Sequence, residues 1–252
     1  MTRVVCWWSA GVASTVAAHL TLKAHPDAIV AYCDTASTEH PDNERFLLDC
    51  ERWFAKPILR LRSEKYRDTW DVYEKTRYLV GPGGARCTTE LKKLVRRAFE
   101  RSDDVQVFGY TADEAKRVRL FRENNPEVTP SFPLVDAGLS HRDCRMILRG
   151  AGIQEPTMYG LGYRNNNCIG CVKGQSGYWN KIRVDFPEVF DRMAKLEREL
   201  DVAINKTERR ENGKRVRLRV FLDELPPNAG VYKAEKSIEC GVACYAEKKE
   251  AA

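Results

Sequence analysis

Residues 4–15 read Val4-Val5-Cys6-Trp7-Trp8-Ser9-Ala10-Gly11-Val12-Ala13-Ser14-Thr15, and their reading decides the fold. Five apolar residues in a row make a short buried strand, small residues follow, and Val12 to Lys23 carries Val16 and Leu20 at helical spacing. Strand, small-residue turn, helix is the context a phosphate cradle requires. Small residues let backbone N–H groups approach an anion, the hydroxyls of Ser9, Ser14 and Thr15 can donate, and the helix dipole favours negative charge at that end. A tight turn with a capping serine fits the same residues. Asp34 ends a second strand 20 residues after Ser14, where a carboxylate can bond a ribose hydroxyl in nucleotide-binding sheets.

Working outward, further strands are expected at Ala28–Cys33, Pro57–Leu61 and Val105–Gly109. Helices are expected at Asp42–Phe54, Thr88–Arg101 and Ala112–Glu123. This alternation predicts an α/β fold, a Rossmann-like parallel sheet with helices on both faces and sites at the carboxyl ends of its strands. Beyond Pro126 the pattern changes. Ser140 reads as the cap of a helix to Leu148, Pro187–Leu200 as a helix, and Asn212-Gly213 as the turn of a hairpin within Lys206–Leu222. A polar, mobile tail is expected from Pro226. The expected division is 1–164, a nucleotide-binding α/β domain, and 165–252, a C-terminal extension with a cysteine motif, helix, hairpin and tail.

The 252 residues are 43% hydrophobic and 31% charged, an ordinary globular balance that excludes a wholly disordered chain. No apolar run reaches the length of a membrane span, and Val4 follows the start too closely for a secretion signal. A cytoplasmic protein with no membrane partner is the expectation. Lys and Arg number 42 against 36 Asp and Glu, a mild excess that admits a nucleotide or a nucleic acid as partner. Lys206 to Arg219 holds seven basic and two acidic residues; it suits a nucleic-acid backbone or simply a solvated edge ribbon.

Nine cysteines in such a chain do not make a disulfide framework. Cys6, Cys33 and Cys50 sit in apolar contexts and read as small buried hydrophobes. Cys87, Cys168, Cys171, Cys240 and Cys244 sit among Gly, Arg, Asn and Lys, surroundings that suit thiolate chemistry. Cys168-Ile169-Gly170-Cys171 is a metal half-site, since two intervening residues let both sulfurs converge in a tight turn. Cys240 and Cys244 could alternatively form a redox pair. Arg86 and Lys92, near Cys87, could hold sulfate or phosphate groups, the one through a planar fork and the other as a point charge. Of the histidines, only His40 lies near enough to Asp34 in sequence to line the site.

These segments together resemble the phosphoadenylyl-sulfate (PAPS) reductase branch of the PP-loop, or adenine nucleotide alpha hydrolase, superfamily. The opening loop resembles its Ser-Gly-Gly-x-Asp-Ser motif. Asp34-Thr35 with Glu39-His40-Pro41-Asp42 resembles its Asp-Thr-Gly…Pro-Glu-Thr block, and Gly109-Tyr110-Thr111-Ala112-Asp113-Glu114 with Arg117 its Gly-Ile-Arg segment. Phe132-Pro133-Leu134, Tyr159 to Tyr163 and the Cys168/Cys171 pair follow in the family's order. Glu239-Cys240-Gly241 is similar to the terminal motif that carries the reductase nucleophile. The resemblance runs from about residue 4 to residue 244, and its order and spacing are more specific than any single motif.

The resemblance implies an adenosine nucleotide (PAPS, its unphosphorylated analogue APS, or ATP) on Ser9, Ala10, Gly11, Ser14, Thr15, Asp34, Thr35, Gly109 and Arg117. It implies Cys240 as nucleophile and a thioredoxin-like dithiol as reductant. It also implies a [4Fe–4S] cluster on Cys87, Cys168 and Cys171. The fourth ligand is Cys244 by preference, with Cys144 or an open iron as alternatives, and zinc or plain thiols remain other readings of the same cysteines. Two departures stand out: Ala10 replaces a glycine, and Ala13 replaces the aspartate associated with magnesium and pyrophosphate handling. The expected function is a PAPS reductase-like enzyme, with a homo-oligomer among the admitted states, carrying out thiol-dependent sulfonate reduction or sulfur transfer. Alternatives are an ATP-dependent sulfur transferase acting on tRNA or DNA, and a nucleotide-binding module without chemistry.

Overall fold

A computed structural model describes residues 2–81, 83–211 and 214–240. The opening strand is β1 (Val4–Trp8), followed by α1 (Val12–Ala24), β2 (Ile29–Cys33), α2 (Asn43–Phe54), β3 (Leu59–Leu61) and α3 (Thr69–Thr76). A two-stranded ribbon, β4 (Val80–Gly81) and β5 (Gly84–Ala85), leads into one helical stretch. That stretch comprises α4 (Arg86–Thr88), a π-helical turn (Thr89–Lys93) and α5 (Leu94–Phe99). Then come β6 (Val105–Phe108), α6 (Ala115–Asn124), β7 (Thr129–Ser131), α7 (Pro133–Asp136), α8 (His141–Gly150), α9 (Thr157–Gly160), α10 (Ser176–Asp185) and α11 (Pro187–Leu200). The hairpin strands are β8 (Asn205–Glu211) and β9 (Lys214–Val220).

The main sheet has the order β3-β2-β1-β6-β7, and every pairing in it is parallel. The α/β fold with a parallel sheet flanked by helices is therefore the one expected from the alternating pattern, and its fifth strand, β7, is an addition to the four expected. Period-two alternation divides β1 between two cores: Cys6 and Trp8 face one, with α1, α2 and α8, while Val5 and Trp7 face the other, with Phe121 of α6 and Phe99 of α5. The chain winds outward from β1 through β2 to β3, then restarts on the other side of β1 with β6 and β7. The reversal leaves a crevice beyond the carboxyl ends of β1 and β6, the place such sheets use for ligands.

A third core gathers Tyr66, Trp70, Tyr73, Leu91 and Cys87 with Met158, Cys171, Tyr178, Trp179, Met193 and Leu222. It draws side chains from both sides of position 164 and holds the cysteine segment against the sheet domain. Helix α10, absent from the sequence expectation, belongs to this core.

The stretch after Pro226 also differs from expectation, because residues 226–240 are docked rather than free. The Glu235 carboxylate accepts hydrogen bonds from the N–H groups of Gly177 and Tyr178, in the first turn of α10, where unpaired donors and the helix dipole favour a negative charge. Asn180 Nδ2 donates to the carbonyls of Pro226 and Ala229, and Arg164 donates to those of Lys233 and Glu235. The hairpin pairs antiparallel with Glu211 opposite Lys214. Its Asn212-Gly213 turn lies outside the described residues.

Glu197 on α11 ties this region together: its two oxygens accept from the N–H groups of Ile204 and Leu222, each at 2.6 Å. It is fully buried, and burial pushes its carboxyl from an ordinary 4.5 up to about 7 against the pull of those donors. Between those values the folded state holds a proton that the unfolded chain has lost, so this group's contribution to stability falls as pH rises from 4.5 to about 7. Glu197→Gln turns a donor toward one of the two N–H groups. It is expected to lower the unfolding free energy by about 1–3 kcal/mol and to flatten that part of the stability–pH curve, measured by urea denaturation across the window.

Candidate functional site

Beyond Trp8 the chain turns sharply through Ser9 to Gly11 before α1. Ala10 takes φ +54°, the left-handed region, in which a side chain costs roughly 1–2 kcal/mol, so an alanine here adopts a backbone that favours glycine. What holds it is Asn166, whose buried Nδ2 donates to the Ala10 carbonyl and to Asn43 Oδ1, both at 2.7 Å. Ser14 Oγ accepts from the Ser9 N–H at 3.1 Å and donates to the Gly11 carbonyl at 3.0 Å, which pins the loop to the first turn of α1. The Tyr159 hydroxyl lies against the N–H groups of Val12 and Asn166. Gly109, just past β6, packs so close that a β-carbon there would fall 2.5 Å from Ser14 Cα. The closeness of strand and loop therefore requires a glycine.

A cavity of about 330 Å3 opens at the crevice, lined by Ser9, Gly11, Ala13 and Ser14 of the loop and α1, by Gly109 and Arg117, and by Lys92 and Cys240. Arg117 stacks its guanidinium over Tyr110 at 4.5 Å and pairs with Glu114 and, at 3.3 Å, with Glu239. Lys92 projects from the π-helical turn, a local widening of the helix that often marks functional positions. Its burial disfavours the charged form, but Cys240, Cys168, Glu39 and Cys33 outweigh that and hold the ammonium well above its usual range.

Other residues read from the sequence stand elsewhere. Thr15 is fully buried: its hydroxyl donates to the Gly11 carbonyl at 2.9 Å and accepts from Trp8 Nε1 at 2.8 Å, so it braces the loop from behind. Asp34 is gripped by the Arg62 guanidinium at 2.7 and 3.0 Å, and Thr35 turns toward the cysteines. Neither lines the large cavity. Arg86 pairs with Glu90 at 2.8 Å and faces a separate hollow with Thr76, Tyr78 and Thr89. His40 accepts from the Asp42 N–H, whereas His141, which shows no motif spacing, does line the cavity. Its pKa is lowered by burial and by nearby Arg145.

Adjoining the large cavity through Lys92, Asn167 and Cys240 is a small one walled by Cys87, Cys168, Cys171 and Cys240, with Thr35, Tyr73, Thr88 and Lys92. Three of the sulfurs carry a hydroxyl neighbour. Tyr73 donates to Cys87 at 3.1 Å, while Thr35 and Thr88 stand 3.5 Å from Cys168 and Cys240. The Tyr178 hydroxyl accepts from the Cys171 N–H at 2.9 Å and fixes the cysteine turn, in which Gly170 takes φ +74°. Tyr73 and Thr88 had no signal in the sequence beyond their nearness to Cys87. Cys144 is buried in the core beside α1 and does not join the set, and Cys244 lies outside the described residues.

Burial pushes Cys168 up to about 12 and raises Cys87 and Cys171, the last two further raised by Cys240. Cys240 behaves differently. Burial pushes it up, but Lys92, Lys173 and the Thr88 hydroxyl outweigh that and hold it below the ordinary thiol range. Four thiols around one cavity fit an iron–sulfur cluster, which takes separated thiolates braced by hydrogen-bond donors. Among the described residues no group of three or more His, Cys, Asp or Glu side chains is placed to hold a single metal ion.

No family model matches this chain, and no curated protein matches it significantly.

Because Lys92 holds Cys240 down, the metal-free protein is expected to alkylate at Cys240 at a rate that levels off at lower pH than an ordinary thiol. In Lys92→Met the levelling should move to higher pH, slowing the reaction at pH 7. Iodoacetamide labelling read by peptide mass spectrometry between pH 5 and 10 measures both; identical profiles would show that Lys92 does not set Cys240.

Proposed function

We propose that this chain belongs with the PAPS reductase branch of the PP-loop proteins. On this reading it binds an adenosine nucleotide in the crevice and carries out thiol-dependent sulfonate reduction or sulfur transfer there. The observation that carries the reading is the continuity of the site: Lys92 and Cys240 line both the cavity under the phosphate loop and the chamber of cysteines. An anion at the loop would meet the start of α1, Ser9 and Ser14 on one side and the charges of Lys92 and Arg117 on the other. Arg86, turned away toward Glu90, has no part in this.

In the reductase form of the reaction, the Cys240 thiolate attacks the sulfur of the sulfonyl group. The S–S bond forms as the bond from sulfur to the phosphate oxygen breaks, leaving Cys240 as a thiosulfonate and releasing the nucleotide. A thiolate of an external dithiol of the thioredoxin kind then attacks Cys240 Sγ and expels sulfite. Its second thiol resolves the mixed disulfide, so the dithiol is oxidised and Cys240 returns. Lys92 supports both the thiolate before attack and the anionic charge during it. A cluster on Cys87, Cys168 and Cys171 with a fourth thiolate would supply a fixed local charge and hold the chamber together.

A second reading, an ATP-dependent sulfur transferase acting on nucleic acid, is favoured by the grouping of Cys240 with the other three cysteines, which suits a cluster that carries sulfur. The strongly basic composition of β8 and β9 agrees with it, and Ala13, which leaves no carboxylate on the loop's wall, weighs against it.

Metal-free protein supplied anaerobically with PAPS or APS and a dithiol is expected to release sulfite, and Cys240→Ser to reduce the rate by more than about a thousandfold. Pyrophosphate from ATP without sulfite would instead favour the transferase. Nucleotide binding with neither product would leave only a binding module.

A further inference from the structure

We infer that Cys240 is the fourth thiolate of the cysteine chamber, delivered by the docked tail. Whenever a cluster occupies that chamber, the thiol facing the nucleotide is then held as a ligand. The inference rests on the cluster reading above, and it assigns to Cys240 a role different from the nucleophile to which its motif points.

The geometry is specific. Cys87 comes from α4, Cys168 and Cys171 from the turn before α10, and Cys240 from the end of the tail; all four wall one small cavity. Thr88 places its hydroxyl 3.5 Å from Cys240, the same distance at which Thr35 meets Cys168. Cys240 is thus braced by a hydroxyl as Cys87 and Cys168 are. The segment leading to it is fixed along its length. Asn165 and Asn167 donate to the Ile238 carbonyl at 2.9 and 3.0 Å, Lys173 donates to the Glu239 carbonyl at 2.9 Å, and Glu235 is seated on the start of α10. Three of these partners lie within six residues of Cys168 or Cys171, so the cysteine turn itself positions the tail. Cys144 is in another core, leaving Cys240 as the thiol that completes the set among the described residues.

One thiol then has two exclusive duties. Bound in the chamber it cannot attack a sulfonate, and once free to attack it leaves a site with three thiols. Loading of the chamber would therefore govern whether Cys240 is available to the cavity above.

The full chain is reconstituted anaerobically with ferrous iron and sulfide, desalted, and labelled with iodoacetamide beside the metal-free protein. Iron and sulfide are assayed, and each cysteine is followed by peptide mass spectrometry. The expected result is about four irons and four sulfides per chain, with Cys240 protected at least tenfold alongside Cys87, Cys168 and Cys171. Cys240→Ala, checked for folding by circular dichroism, is expected to lose iron to a chelator at least tenfold faster than the unaltered chain. Loaded protein in which Cys240 labels at its metal-free rate while the other three are protected would overturn the inference, as would failure to take up iron. Binding of adenosine 3′,5′-bisphosphate, measured by calorimetry on the same samples, reports separately on the nucleotide site. If that binding is intact in protein that takes up no iron on reconstitution, the inference fails while the nucleotide reading stands.

Discussion

The site depends on one buried amide. Asn166 Nδ2 holds the carbonyl of Ala10, the residue forced into the left-handed region at the tip of the opening loop, and also reaches Asn43 at the start of α2. Two residues further along the same segment is Cys168. A single side chain therefore joins the turn that can receive an anion, the helix beside it and the turn that carries the cysteine pair. Without this tie, the strained Ala10 backbone would lack its side-chain brace, and the Tyr159 hydroxyl, against Val12 and Asn166, would be left to join the two halves of the site.

Electrostatics builds on that frame. A buried ammonium is costly unless it is surrounded by groups that favour its charge. Lys92 has Cys240, Cys168, Glu39 and Cys33 around it. Glu39 is itself held by three donors, Thr35 at 2.7 Å, Asn43 at 2.7 Å and the Tyr32 hydroxyl. The same ammonium that is stabilised by Cys240 holds that thiol down in turn, while the neighbouring thiols are raised. The chamber thus holds one sulfur below the ordinary thiol range and raises the other three.

Much of the architecture was legible because it is local. Runs such as Val4–Trp8 and the apolar face of α2 express their period directly, and α11 spans Pro187–Leu200 as its pattern implies. Ser140 caps α8 through a reciprocal bond with Asp143, as its place before the helix suggested. Helix α10 was hidden because its first turn holds a glycine and is stabilised by Glu235, 58 residues away from Gly177. The tail's polarity concealed its docking for the same reason: its anchors are hydrogen bonds to another segment rather than apolar burial. Of the basic residues near Cys87, Arg86 found a partner one helical turn away in Glu90, whereas Lys92 was carried inward by a π-helical turn that no periodicity announces. The convergence of Cys240 with the other thiols is a property of tertiary packing alone.

The account's central claim is that nucleotide and thiol share one cavity. It is tested most directly by following iodoacetamide labelling of Cys240 in metal-free protein as adenosine 3′,5′-bisphosphate is added. Labelling of Cys240 should slow with a saturable dependence on nucleotide, while buried Cys144, remote in the core beside α1, stays unchanged. Saturable binding of the nucleotide with no change at Cys240 would contradict it.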